Sequence, residues 1–344
     1  LSQQLKSVLQ FLLFFGLGGA LLYFAFVNLD LDYDKVLNGF KQANYGWIAA
    51  ALLFSLASHF VRAVRWNMML EPLGTKPAIV NTFNAVMIGY LFNFAIPRMG
   101  EVSRCGVLNR TDKIPVNQSL GTVVVERIFD MIILLLASVL VLFLEFDILY
   151  NFFDENFISP MASKIEGFGL VILIILVAFL LLAVFAIFRF KHVLLRSALA
   201  GKVLTMILGF VDGFKSVFKL KSPGQFISST LLIWVLYYLN TFSFLMAFTE
   251  TANLGFAAVM SILVIGTFGF AAPVSGGIGA YHLFVAKGLA LYGISSVAGG
   301  IFGFVSHGMQ MIMILVVGSL SLLYTLYLEQ KSLKSPQSAV GGPQ

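Results

Sequence analysis

Residues 93–104 read NFAIPRMGEVSR, and they close an apolar run, 79–97, that is near the length needed to enter a bilayer as helix. Proline removes a backbone donor and crowds the preceding turn, so the helix ends at Pro97; Gly100 permits a tight return, and GEVSRCGVL begins a new helix. Such a break at membrane depth is tolerated only where its freed amides are buried in protein or face a wet cavity. The start of the second helix then aims free N–H groups and a positive dipole at the site of an anion, to which Arg98 and Arg104 add donors suited to a phosphate. Glu101 pairs with one of these arginines or carries a proton. The competing reading makes both arginines topology determinants that snorkel at the inner surface, and it leaves Asn93, Pro97 and Glu101 without a reason.

The rest of the chain fits a hydrocarbon setting. Of 344 residues 59% are hydrophobic and 11% charged, with a mean hydropathy of +0.93, which excludes an ordinary soluble domain and predicts an all-α polytopic membrane protein. One Cys and four scattered His predict no disulfide, no metal site and no cofactor. The net charge of +6 comes from cations beside apolar spans, not from a basic domain, so the expected counterpart is an anionic lipid headgroup and not nucleic acid. The first apolar stretch lacks a small-residue cleavage site and reads as a retained helix.

Apolar segments occur at about 8–27, 47–69, 79–97, 119–144, 168–190, 223–249, 256–274 and 298–328. If 79–97 and 256–274 are re-entrant, six segments cross, both termini lie in the cytoplasm, and 17 basic residues fall on the inner side. The cell membrane, specifically a bacterial cytoplasmic membrane, is the expected location. The opening stretch also has an echo: GYLFNFAIPRMG at 89–100 and GTFGFAAPVSGG at 266–277 both read apolar helix, Pro, two residues, Gly. Pro97 and Pro273 stand 176 residues apart, and the same offset carries 47–69 and 119–144 onto later apolar segments. The reading is one membrane domain, 1–328, built as an inverted repeat: half one about 1–150, half two about 165–328, each helix, helix, re-entrant hairpin, helix. A basic interfacial segment, 189–222, joins the halves, and 329–344 is expected to be a disordered cytoplasmic tail.

Two further clusters carry chemistry. In VVVERIFDMIILLL, 123–136, Glu126 and Asp130 share a helix face, with Arg127 beside the first and three before the second. Acids at membrane depth need partners and mark either a functional site or a structural ion pair with the neighbouring hairpin. In AAPVSGGIGAYHLFVAKG, 271–288, the SGGIG amides suit an anionic oxygen, with His282 and Lys287 following, although close helix packing through small residues explains the glycines equally. His59, Arg62 and Arg65, spaced by three, read as a stripe that snorkels to the inner surface.

NFAIPRMGEVSR, VVVERIFD and PVSGGIGAYH, in that order, resemble the flippase-like transmembrane region of the lysyl-phosphatidylglycerol synthase family over about 45–325. The resemblance implies a lipid-translocating fold and carries lipid phosphate binding to Asn93, Pro97, Arg98, Gly100, Glu101, Arg104, Pro273, Gly276, Gly277 and Gly279. It assigns charge coupling to Glu126, Arg127 and Asp130, with His282 added beside them. Ser275 and His282 depart from the family pattern, which has a Pro and an acid there. About 16 residues follow the last helix, so the family's aminoacyl-transferase domain is expected to be absent and the chain to be a transporter rather than an enzyme. The expected cargo is an anionic or aminoacylated phospholipid or a polyprenyl-phosphate-linked lipid, with a second copy or a separate lipid-modifying enzyme as protein partner. The alternative is a membrane-embedded phosphatase or transferase acting on polyprenyl pyrophosphate, for which Ser103 and Ser275 are the available nucleophiles.

Overall fold

The computed structural model describes residues 3–96, 99–153 and 220–334. Among these residues every regular element is helical: α1 (Gln3–Asn28), α2 (Tyr33–Gln42), α3 (Tyr45–Leu70), α4 (Ile79–Ala95), α5 (Met99–Asp112), α6 (Val116–Leu144), α7 (Phe146–Phe153), α8 (Pro223–Met246), α9 (Phe256–Ala271), α10 (Ala280–Ala290) and α11 (Ser296–Lys334). Short 3-10 turns occupy Glu71–Leu73 and Ser275–Gly277. The segment 168–190, most of the basic stretch 189–222, the end of the chain after 334, Pro97 and Arg98 lie outside the described residues.

Four of these helices are long and apolar enough to cross a membrane: Tyr45–Leu73, Val116–Leu144, Pro223–Met246 and Ser296–Lys331. Their outer faces stay apolar, with Leu136, Phe143, Leu231, Val235, Val316 and Leu323 all exposed. A belt of this extent is unstable in water and stable in lipid. The chain is a membrane protein. The last helix runs to Lys334, further than the sequence reading placed it, and takes in the first six residues of the stretch read as a disordered tail. Glu329, Gln330, Lys331, Leu333 and Lys334 are good helix formers, and extending an existing helix is far easier than nucleating one.

At the centre α3 and α8 run antiparallel in close contact. Asn240 Nδ2 donates to the Ala51 carbonyl at 2.8 Å near one end, and Arg65 reaches Thr230 near the other. One apolar core gathers Ile48, Phe244, Val259, Val285 and Phe302; the other gathers Trp66, Leu70, Val86, Leu108, Phe129 and Phe226. The central pair therefore passes through both cores.

Two helical hairpins pack against it. In the first, Ile96 takes extended dihedrals (φ −137°, ψ 122°), the geometry a following proline imposes, and α4 ends there. The arms α4 and α5 return along each other: Asn81, near the start of α4, donates to Asp112, at the end of α5, at 3.2 Å. Gly100 is not the turn residue that the sequence suggested. It lies inside α5, and a Cβ there would come within 2.7 Å of the Asn93 side chain and closer still to the Gly89 carbonyl. Its task is close approach of two helices, since only a residue without a side chain fits.

The second hairpin pairs α9 with α10, Gly269 facing Tyr281 and Gly288 facing Ile262 and Ile265. Its tip is the 3-10 turn, where Gly276 has φ +59°. The two tips meet, because the Phe94 ring covers Gly276 so closely that a Cβ there would lie 2.6 Å from the ring. Two long helices embrace both hairpins: α6 packs on α5 and α9, and α11 packs on α10 and α4.

Candidate functional site: a buried arginine and carboxylate centre

Arg62 and Arg65 lie on one face of α3, Glu126 and Asp130 on one face of α6, and the two stripes meet inside the protein. Arg62 Nη1 donates to a Glu126 carboxylate oxygen and, at 3.0 Å, to Asp130 Oδ2; its Nη2 donates to the Tyr237 hydroxyl at 2.8 Å. Arg65 Nη2 donates to Asp130 Oδ1 at 2.9 Å and stands 3.3 Å from Glu126, while its Nη1 donates to Thr230 Oγ1 at 3.1 Å. Neither arginine snorkels, for the side chains are only 3% and 0% exposed. Acids one turn apart in a facing helix hold them more firmly than a headgroup layer would, since a guanidinium in apolar surroundings needs its counter-charges at contact distance.

The first hairpin joins this centre through Arg104. Its Nη2 donates to Glu126 Oε2 at 3.0 Å, and its guanidinium lies 4.5 Å over the Trp66 ring, whose Nε1 is fixed by donating to Thr122 Oγ1 at 2.8 Å. Arg127 completes the set, 3.4 Å from Glu101 and 3.8 Å from Asp130. Glu126 is thus fully buried among three guanidinium groups. Among the described residues the network holds four arginines against three carboxylates, one positive charge in excess. Arg62, Arg65 and Arg104, three of the 17 basic residues assigned to the inner side, are paired within the protein.

A narrow cleft opens onto this centre between Val86, Gly89, Tyr90, Asn93, Gly100, Glu101, Arg104 and Arg127. Its interior of about 10 Å³ has room for roughly one water. Asn93 Oδ1 closes the bend by accepting from Gly100 N at 2.7 Å, which uses the Gly100 amide expected to meet an anion. Glu101 Oε2 and the Nε atoms of Arg104 and Arg127 are buried without a partner. The cleft therefore brings together Asn93, Gly100, Glu101, Arg104 and Arg127 of the sequence-predicted set, with Glu126 and Asp130 directly behind.

The second hairpin does not join the ion network. At its tip Gly277 N donates to Val274 O at 3.4 Å, Ile278 N to Ser275 O at 3.1 Å and Gly279 N to His282 Nδ1 at 3.1 Å. These amides, expected with Pro273 to cradle an anion, already have acceptors, and the turn around Gly276 and Gly277 is covered by Phe94 and Phe270. His282, expected to couple charge, caps α10. Accepting at Nδ1 makes it a neutral ring with its proton on Nε2. That ring packs 4.2 Å from Phe304 and 4.9 Å from His307 between centroids, and His307 Nε2 donates to Gly276 O at 2.9 Å. Neither candidate nucleophile stands against a base: Ser103 Oγ donates to Gly100 O at 3.1 Å, and Ser275 Oγ is buried without a partner.

The sequence reading missed Arg62, Arg65, Trp66, Tyr90 and Tyr237 as parts of the centre. A signal existed for the first two, since two cations three apart on one helix match two acids four apart on another. Nothing local announced the aromatics.

Helical hairpins meeting tip to tip beside a centre of buried ions define a polytopic membrane protein with a cationic interior site. The chain belongs to the lysylphosphatidylglycerol synthase TM region family, whose profile matches residues 8–318. It is similar to the UPF0104 membrane protein MJ1595 of Methanocaldococcus jannaschii, 27% identical over 125 residues, which are 35% of this chain and 37% of that protein. It is also similar to the glycosyltransferase AglD of Haloferax volcanii, 27% identical over 118 residues, 34% of this chain and 19% of that protein. The alignments thus span about a third and a fifth of the length of these curated relatives. No solved structure gives a significant match.

Proposed function

We propose that the chain moves the headgroup of an anionic or aminoacylated phospholipid, or of a polyprenyl-phosphate-linked lipid, between the leaflets of a cell membrane. The observation that carries this reading is the guanidinium excess lining the cleft of the first hairpin, with Arg104 buried and Arg127 half-exposed. An uncompensated cation in an apolar bundle is costly, and a phosphate oxygen entering the cleft would neutralise it. Arg104 and Arg127 are placed to meet that oxygen, and Arg98 follows the break. Glu126 and Asp130 hold the arginines in position and balance their charge while the site is empty. Membership of a family named for a lysylphosphatidylglycerol synthase supports a lipid as cargo.

The repeat supplies the movement. Contacts in the first half have counterparts in the second: α3 with α4 and α8 with α9, α5 with α6 and α10 with α11, α6 with α9 and α11 with α4. This exchange, with the antiparallel α3 and α8, supports two halves of inverted topology whose hairpins enter the membrane from opposite sides. A cleft with room for one water is then a closed state, and rocking one half against the other opens it to either leaflet. Scrambling of a fluorescent anionic phospholipid in proteoliposomes tests the reading. Arg104→Gln should slow it by tenfold or more at unchanged reconstitution, and a variant that scrambles as wild type does would sink the assignment.

A further inference from the structure

His59 lies on α3 one turn before Arg62, on the same face, and is 6% exposed. Both of its ring nitrogens are buried without a hydrogen-bond partner. Its ring stands 4.5 Å from that of Tyr90, and Tyr90 is a wall of the cleft. A neutral imidazole always carries one N–H, so a donor is kept unsatisfied there, separated from the cationic site by a single side chain. Ser58 closes on Ser55 O at 2.6 Å and His307 on Gly276 O at 2.9 Å, whereas His59, like Trp234 Nε1, Ser243 Oγ and Ser275 Oγ, has no partner, and His59 stands against a wall of the cleft. An unmade bond next to a closed site is what remains when a group's partner is present only in another state.

We infer that His59 is a ligand-binding residue: when Tyr90 swings aside as the cleft opens, the His59 N–H donates to the phosphate oxygen that Arg104 also meets. This rests on the phospholipid reading above and adds a donor to it. A neutral donor has a use here. It grips an anion without adding a charge that Glu126 and Asp130 would have to balance when the ligand leaves.

The full chain, purified in detergent, would be titrated with short-chain phosphatidylglycerol, and in separate arms with inorganic phosphate and with phosphatidylcholine of the same chain length. Binding is read by tryptophan fluorescence, since Trp66 touches Arg104, and thermal unfolding is followed alongside. His59→Phe keeps the ring and removes the donor, so it should weaken phosphatidylglycerol binding by about tenfold while the unfolding temperature stays level or rises. His59→Gln retains an N–H and should bind within roughly threefold of wild type. The phosphate arm tells whether the headgroup alone suffices. Wild-type binding by His59→Phe, or a matching loss of stability that marks the ring as packing, would overturn the inference. Arg104→Gln separates the two readings. If it loses binding while His59→Phe does not, only the His59 inference fails; if wild type binds neither probe, both fall.

Discussion

Two hairpins turn at corresponding places in this chain and are held by different chemistry. Behind the tip of the first, Asn93 closes the bend on Gly100 N, and a network of Arg62, Arg65, Arg104 and Arg127 with three acids stands at its flank. Behind the tip of the second stand Phe270, Tyr281, His282, Phe304 and His307, rings packed at centroid distances of 4.2–5.5 Å, with the Gly277 and Gly279 amides bonded within the turn. One tip keeps Glu101 Oε2 and two arginine Nε atoms unpartnered beside a cleft, and the other, apart from the buried Ser275 Oγ, bonds its Gly277 and Gly279 amides within the turn. Two similar backbone hairpins thus carry different side chains, charged beside the first tip and aromatic behind the second.

Substitutions can break this division. The largest effect belongs to Glu126→Gln: removing the acid shared by three guanidinium groups leaves buried charge unpaired and should cost about 3–5 kcal/mol, read as loss of folded protein in detergent. Gly100→Ala forces α4 and α5 apart and should cost about 2 kcal/mol and abolish lipid movement, because the cleft lies between those arms. Gly276→Ala should cost roughly 1–2 kcal/mol from its left-handed backbone, beyond the clash with Phe94, and adding Phe94→Ala should recover only the clash. His307→Phe, which loses one bond to Gly276 O, should cost about 1 kcal/mol and leave scrambling within a few-fold of wild type. If it stops scrambling at full stability instead, the second hairpin acts on the cargo and the comparison is wrong.

The helical, membrane-embedded character could be read directly from segment length and hydropathy, and the boundary of α4 from Pro97, because these follow from what a backbone can do in lipid. Glu126 and Asp130 were recognisable as a pair needing partners, since a helix puts residues four apart on one face. Their partners were harder to see. Arg62 lies 64 residues from Glu126, and within its own helix it looks like any cation near a span end. The role of Gly100 likewise depends on Gly89 and Asn93 of the opposite arm, and that of the Gly279 amide on the ring of His282.

The sequence by itself determined that this chain enters a membrane as helices, that two of its apolar runs break, and which charges had to be buried or paired. Those are consequences of local covalent geometry and of the cost of polar groups in hydrocarbon. Only the tertiary structure decided that Arg62 and Arg65 face inward, that one hairpin keeps a cationic cleft while the other closes on itself, and that His59 is left without a partner. Pairing and close approach join residues far apart in the chain, and no local pattern records which distant side chain will arrive.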